Sequence, residues 1–209
     1  QELYGLHEAR EAIRSAGRAL VVEGYMDVIQ LAQAGFLESV AALGTALTSH
    51  HVATLLRLTD HVVFAFDGDA AGRKAARRAL EASLPVIGER QRASFLLLPE
   101  GEDPDSLIKR AGAEAFRDEL AQALPLSRFF LRTLAQGRAL DVPEDRSSLL
   151  ADARPLLQSM PANALRLQLT QELAAAARTP LDDVEALFGL RRPRPTRPPA
   201  PRPSRHAEV

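Results

Sequence analysis

HVVFAFDGDAAG, residues 61–72, is the stretch whose reading decides the fold. Five of its first six residues are apolar, so 61–66 reads as a strand buried on both faces. It runs directly into Asp67-Gly68-Asp69, and the Ala-, Arg- and Leu-rich residues after it read as a helix. Two carboxylates therefore stand at the C-terminal lip of a central strand. Residues two apart in an extended chain point the same way. Like charges that close raise one another's pKa unless a cation joins them. Oxygen-only ligands suit Mg2+ or Mn2+. Taken alone, the same three residues also read as a turn, with Gly68 at the bend and Asp69 capping the helix.

Working outward, the same alternation recurs. A helix over 6–16 ends at Gly17, and the apolar run 19–22 reads as a strand that stops at Glu23-Gly24. Residues 25–34 read as a helix closed by Gly35, and 39–43 as a third strand. Thr48 can cap a helix over 49–58. Residues 93–98 are the last clear strand, followed by Pro99-Glu100-Gly101-Glu102-Asp103-Pro104-Asp105. Strand–helix repetition of this kind predicts an α/β fold: a parallel sheet with helices on both faces. Beyond Ser106 only helical spacing remains. Gly112 and Gly137 are breaks, Pro125, Pro161 and Pro180 read as first-turn prolines, and Pro155 as a kink. Residues 126–190 read as a small helical bundle with no chemical cluster, suited to packing or to holding a neighbouring domain.

In a parallel sheet the C-terminal strand ends share one edge, and ligands bind there. Three strands here end in acid: Glu23, then Asp67 and Asp69, then Glu102, Asp103 and Asp105. The turn after the first strand is Glu-Gly rather than Gly-rich, which disfavours a nucleotide cradle. Gathered carboxylates call for cations, and two or more Mg2+ ions would make a phosphoryl-transfer site. Each acid also has a structural reading. Asp103 before Pro104 is a good N-cap, Asp105 suits a helix first turn, and Asp27, one turn after Glu23, can face water. His50 and His51 are adjacent on a helix, so they diverge and do not chelate together.

Composition narrows the classes. The chain has 209 residues, 46% hydrophobic and 25% charged, as in ordinary globular proteins. It has no Cys, which excludes disulfides and Cys-type zinc sites. No apolar run approaches the ~18 residues of a membrane span. The cytoplasm is the expected location. Residues 191–209 hold six Arg and one Glu, a balance of +5, so the other 190 residues carry -6 of the net -1. An acidic body with a basic tail is no simple DNA-coating protein; nucleic acid would be held locally, through metal or the tail. The Arg- and Pro-rich tail cannot bury a core and reads as a linker or arm. The first residue is Gln1, not Met, which reads as a piece of a longer protein.

The motifs LVVEGYMDV (20–28), LGTALT (43–48), FDGDAAGRKAA (66–76) and LPEGEDPDSLIKRAG (98–112) resemble the TOPRIM core of DnaG-type bacterial primases. ELYGLHEAR (2–10) is similar to the segment before that core, and the resemblance extends to residue 190. It implies a segment 1–17 ending the preceding subdomain, a TOPRIM catalytic core at 18–125, the bundle at 126–190 and a linker at 191–209. It also implies roles. Glu23 would bind metal or act as general acid/base. Asp67 and Asp69 would be paired metal ligands. Asp27, Asp103 and Asp105 would hold further ions and the incoming triphosphate, and Gly24, Gly68 and Gly72 would allow tight turns. The implied activity is synthesis of short RNA primers on single-stranded DNA from ribonucleoside triphosphates at the replication fork, with Mg2+ or Mn2+ and no zinc in this segment. A TOPRIM hydrolase and a non-catalytic docking module are the alternatives. The helicase contact of the family is expected in a domain beyond this chain.

Overall fold

Val62, Phe64 and Phe66 turn to one side of a sheet and Val63 and Ala65 to the other, as the two-residue repeat of a strand requires. All five are buried, which only a strand covered on both faces can achieve. The computed structural model describes residues 3–42 and 47–190. The expectations for the tail, and for all but the last two residues of the 43–48 motif, lie outside them.

The elements run β1 (Leu3–Tyr4), α1 (Leu6–Ala16), β2 (Ala19–Val22), α2 (Tyr25–Gln33), β3 (Ser39–Ala42), α3 (Ser49–Leu55), β4 (His61–Phe66), α4 (Ala70–Ser83), β5 (Arg92–Leu97), α5 (Pro104–Ala121) and β6 (Leu124–Pro125). Four helices follow: α6 (Leu126–Ala135), α7 (Pro143–Ser159), α8 (Ala164–Ala176) and α9 (Leu181–Phe188). The sheet order is β1-β3-β2-β4-β5-β6. The four central strands are parallel, as expected, but each edge carries a two-residue antiparallel strand. Short edge strands leave little backbone open to stray pairing. They are also too short to show an alternating pattern.

One core face gathers Ile13 of α1, Val52 and Leu55 of α3, Ala76 and Leu80 of α4, and the apolar faces of α6 to α9. The other gathers Val28 and Leu31 of α2 with Leu107, Phe116 and Leu120 of α5. The helices after α5 share the first core with the sheet. Phe129 of α6 stacks on Phe95 of β5 with ring centroids 4.3 Å apart. Asn163 Nδ2 donates to the Ile87 carbonyl at 3.2 Å, and the Ala164 amide donates to Glu89 Oε1 at 3.0 Å.

Local signals hold in part. Asp103 caps α5 with Pro104 at its start, and Gly112, at φ +85°, interrupts that helix where the sequence places a break. The first-turn prolines differ. Pro125 pairs in β6 and precedes α6, and Pro180 takes the capping place before Leu181. After Pro161, α8 waits for Asn163, whose side chain accepts from the Arg166 amide. A side-chain acceptor outcompetes proline as a helix start because it satisfies an otherwise open amide.

Where β2 begins, Arg18 donates through Nε and Nη2 to Oε1 of the buried Glu38 at 3.1 and 3.0 Å. Arg18→Ala leaves that carboxylate buried without its cation. The guanidinium is a third exposed, so screening trims the loss to about 1–2 kcal/mol. The midpoint of urea unfolding measures it, and Glu38→Gln in the same background should recover part of it.

Candidate functional site

β2 and β4 are neighbours in the sheet and end at the same edge. Glu23 follows the first and Asp67 the second, and Glu23 Oε1 accepts from the Asp67 amide at 3.2 Å. That bond ties the two strand ends together. Asp69 sits at the start of α4, where its Oδ1 accepts from the Gly72 amide at 2.7 Å. Asp27, in the first turn of α2, accepts from the Gly24 amide through Oδ2 at 2.9 Å. Asp103 Oδ1 accepts from the Ser106 amide at 2.7 Å. Asp105, one helical turn before Lys109, pairs with it at 2.5 Å.

The carboxylates feel one another. Asp67 is pushed up to about 7, first by burial and then by Glu23, Asp27, Asp103 and Asp69. Burial also raises Glu23, with Asp69 and Asp27 adding to it and the Asp67 amide opposing. Burial raises Asp27 in turn, against the Gly24 amide and with the help of Asp103 and Asp105. The six acids expected from the sequence thus share one electrostatic neighbourhood. Among the described residues no Lys or Arg forms an ion pair with Glu23, Asp27, Asp67 or Asp69. Glu102 behaves differently. The Ser106 hydroxyl and Arg110 hold it below the usual carboxylate range, so its charge is already matched.

In its donor chemistry this set fits a hard divalent cation: oxygen only, partly open to solvent and short of positive charge. Among the described residues, no three His, Cys, Asp or Glu side chains converge on one point to hold an ion. Asp27, Asp69 and Asp103 each commit one oxygen to a helix-start amide, and Asp105 commits one to Lys109. The structural readings of Asp69, Asp103 and Asp105 are therefore real, whereas Asp27 is partly buried on the Gly24 amide and does not simply face water; among the described residues each of the four leaves a second oxygen without a hydrogen bond.

The glycines divide. A Cβ on Gly72 would lie 2.1 Å from the Asp67 carbonyl oxygen, and one on Gly68 would lie 2.2 Å from that of Pro99. Close backbone approach, more than bend geometry, requires glycine at both. Gly24 is different: its φ is -124°, and a Cβ would meet Asp27 only at ordinary contact distance. No tight turn demands glycine there. His51 is buried and takes part in the start of α3, its Nδ1 accepting from the Thr48 amide at 3.3 Å, while His50 is exposed. Their ring centroids lie 6.5 Å apart, so they form no chelating pair. One residue escaped the sequence reading. Arg73 donates through Nη1 to the Gly68 carbonyl at 2.8 Å, bracing the turn between Asp67 and Asp69. An Arg one turn into a helix that starts at Asp-Gly-Asp was the available signal.

Comparison with known proteins agrees with this geometry. The family model described as "Toprim domain" matches residues 17–93. The DNA primase of Pseudomonas aeruginosa is 49% identical over 175 residues, 83% of this chain and 26% of that protein. The chain belongs to the DnaG-type DNA primase family. The Neisseria meningitidis primase is 46% identical over 195 residues, 93% of this chain and 33% of its own length. The chain thus spans a third or less of these primases. A crystal structure of a DNA primase domain from P. aeruginosa superposes with a TM-score of 0.85 at 46% identity, covering 90% of this chain and 59% of that one. A DnaG primase catalytic domain bound to ssDNA does so with a TM-score of 0.80 at 43% identity, covering 87% and 57%. A second family model, "DnaB-helicase binding domain of primase", matches residues 127–182. That match falls on α6 to α8 and the start of α9 of this chain, whereas the expectation put the helicase contact beyond it. No helix among the described residues is long and apolar enough to cross a membrane.

Proposed function

We propose that this chain is the metal-binding catalytic part of a DNA primase. It extends a short RNA primer along single-stranded DNA, in the cytoplasm at the replication fork, by nucleotidyl transfer. The supporting observation is the carboxylate edge, where Asp67 is pushed up to about 7 and, among the described residues, has no cationic side-chain partner. In this reading 18–125 is the catalytic core. Glu23, Asp67 and Asp69 hold Mg2+ or Mn2+, and Asp27, Asp103 and Asp105 hold further ions and the incoming ribonucleoside triphosphate. The bound cations would lower the pKa of the primer's 3′-hydroxyl and offset the charge of the phosphates. The 3′-oxygen forms a bond to the α-phosphorus, the bond to the β-phosphate oxygen breaks, and pyrophosphate leaves. Glu23 keeps one oxygen fixed on the Asp67 amide. Its other oxygen either joins the cation or accepts the hydroxyl proton. Arg73 keeps the Asp67–Asp69 turn from shifting as charge accumulates. The helicase-binding description matched at 127–182 supports a second role for the bundle: presenting a surface to the replicative helicase.

Extension of a pre-annealed RNA primer on single-stranded DNA, with labelled ribonucleotides and Mn2+, tests the reaction without requiring initiation. The chain is expected to lengthen the primer slowly, because it spans a third or less of the length of its relatives. Glu23→Gln should extend at about a hundredth of that rate or less. Strands shortened rather than lengthened would make the site a hydrolase. Equal extension by Glu23→Gln would remove Glu23 from the chemistry.

A further inference from the structure

α4 begins at Asp69, on the acidic edge, and carries Arg73, Lys74, Arg77 and Arg78, all exposed, against a single acid, Glu81. Helix stability does not explain this placement. The helix dipole favours acids in the first turn and bases in the last, and α4 has neither. Two of the cations are occupied: Arg73 on the Gly68 carbonyl and Arg77 on Glu81 at 3.1 Å. Lys74 and Arg78 form no hydrogen bond or ion pair among the described residues. Four residues apart, they stand on one face about 6 Å apart along the axis. The opposite face is buried through Ala76, Ala79 and Leu80, so the cationic row is held rigidly toward solvent.

Beside this row, the acid edge repels any polyanion that is not neutralised there. A nucleic-acid strand serving the carboxylates must find its cations nearby, and α4 supplies them from its second turn onward. We propose that Lys74 and Arg78 bind consecutive phosphodiesters of the single-stranded nucleic acid leading to or from the carboxylate site. This rests on the reading of the chain as a nucleotidyltransferase. The contacts are to phosphate, so they position the strand and carry no sequence preference.

The test is the affinity of the full chain for a fluorescent oligodeoxythymidylate across a range of salt concentrations. Lys74→Gln/Arg78→Gln is compared with wild type and with Arg132→Gln/Arg154→Gln, which removes two exposed charges from the bundle. Each lost phosphate contact to a single strand lowers the log–log salt slope by about 0.7, so the α4 pair should lower it by about 1.4 and weaken binding about tenfold or more at low salt. The bundle pair should match wild type. The urea midpoint and Mn2+ affinity of the α4 variant should not change. Binding by wild type with an unchanged slope and affinity in the α4 variant overturns this inference alone, and would point to a protein ligand for the row. A fall of equal size in both double variants also overturns it, since net charge would then be the cause. No binding by wild type overturns the nucleic-acid reading on which the inference depends.

Discussion

Gly72→Ala is expected to cost the chain about 3–4 kcal/mol, at or above the upper end of ordinary overpacking, and to abolish metal binding. The added carbon would lie 2.1 Å from the Asp67 carbonyl oxygen and 2.9 Å from its carbon. Both are backbone atoms, so no side-chain rotation relieves the clash. The Asp67 peptide directly follows the last paired residue of β4, and moving it would break the bond from its amide to Glu23 Oε1. α4 must then lift away, taking with it the Gly72 amide that fixes Asp69. Gly101→Ala is the control: its Cβ meets nothing within 4 Å, and only its φ of +82° is strained, at about 1 kcal/mol. Urea midpoints measure both costs. A Gly72→Ala chain as stable as Gly101→Ala would mean that α4 does not rest on the Asp67 peptide.

Asp67→Asn should stabilise the metal-free chain in alkaline solution. The folded-state pKa of Asp67 is raised from 3.8 to about 7, so between those values the folded chain holds a proton that the unfolded chain has lost. Stability from this source is full below about pH 4 and is lost as pH rises through 7. The unscreened shift corresponds to about 4 kcal/mol, but Asp67 is only partly buried, and solvent screening reduces this to about 1–2 kcal/mol. Glu23 and Asp27 are raised as well, so they push the same way. Near pH 4 the variant and wild type should melt together. At pH 8.5 the variant should melt about 3–6 °C higher. Saturating Mg2+ should reverse that order by stabilising wild type and leaving Asp67→Asn nearly unchanged. A wild-type melting point that does not fall between pH 5 and 8.5 would contradict the crowding of the acids.

Much of this architecture was legible in the chain because its signals are local. The run 62–66 is apolar without alternation, as a strand covered on both faces requires. Asp103-Pro104 announces a helix start and Gly112 a break, each from the chemistry of one or two residues. The shared acidic edge followed from topology alone, since parallel strands end together. What stayed hidden depends on contacts between distant residues. β1 and β6 have two residues each, and their pairing is set by β3 and β5. Glu102 looks like its acidic neighbours in sequence, yet Arg110 and Ser106 absorb its charge. The need for glycine at 68 comes from the Pro99 and Leu98 carbonyls thirty residues away, while Gly24, in a similar sequence setting, has room for a methyl group. The continuous core beneath β5 and α6 rests on Phe95 and Phe129, and no periodicity within either element reports that stacking.

Proton release on metal binding tests the central claim most directly. Titration calorimetry of Mn2+ into the chain, repeated in buffers of different ionisation enthalpy, counts the protons that each ion displaces. With Asp67 at about 7, binding at pH 7 should release about half a proton from that carboxylate, and at pH 9 almost none. Asp67→Asn should bind about a thousandfold more weakly. No Mn2+ uptake by wild type, or equal affinity in Asp67→Asn with no proton displaced in either, would contradict a shared cation site at the ends of β2 and β4.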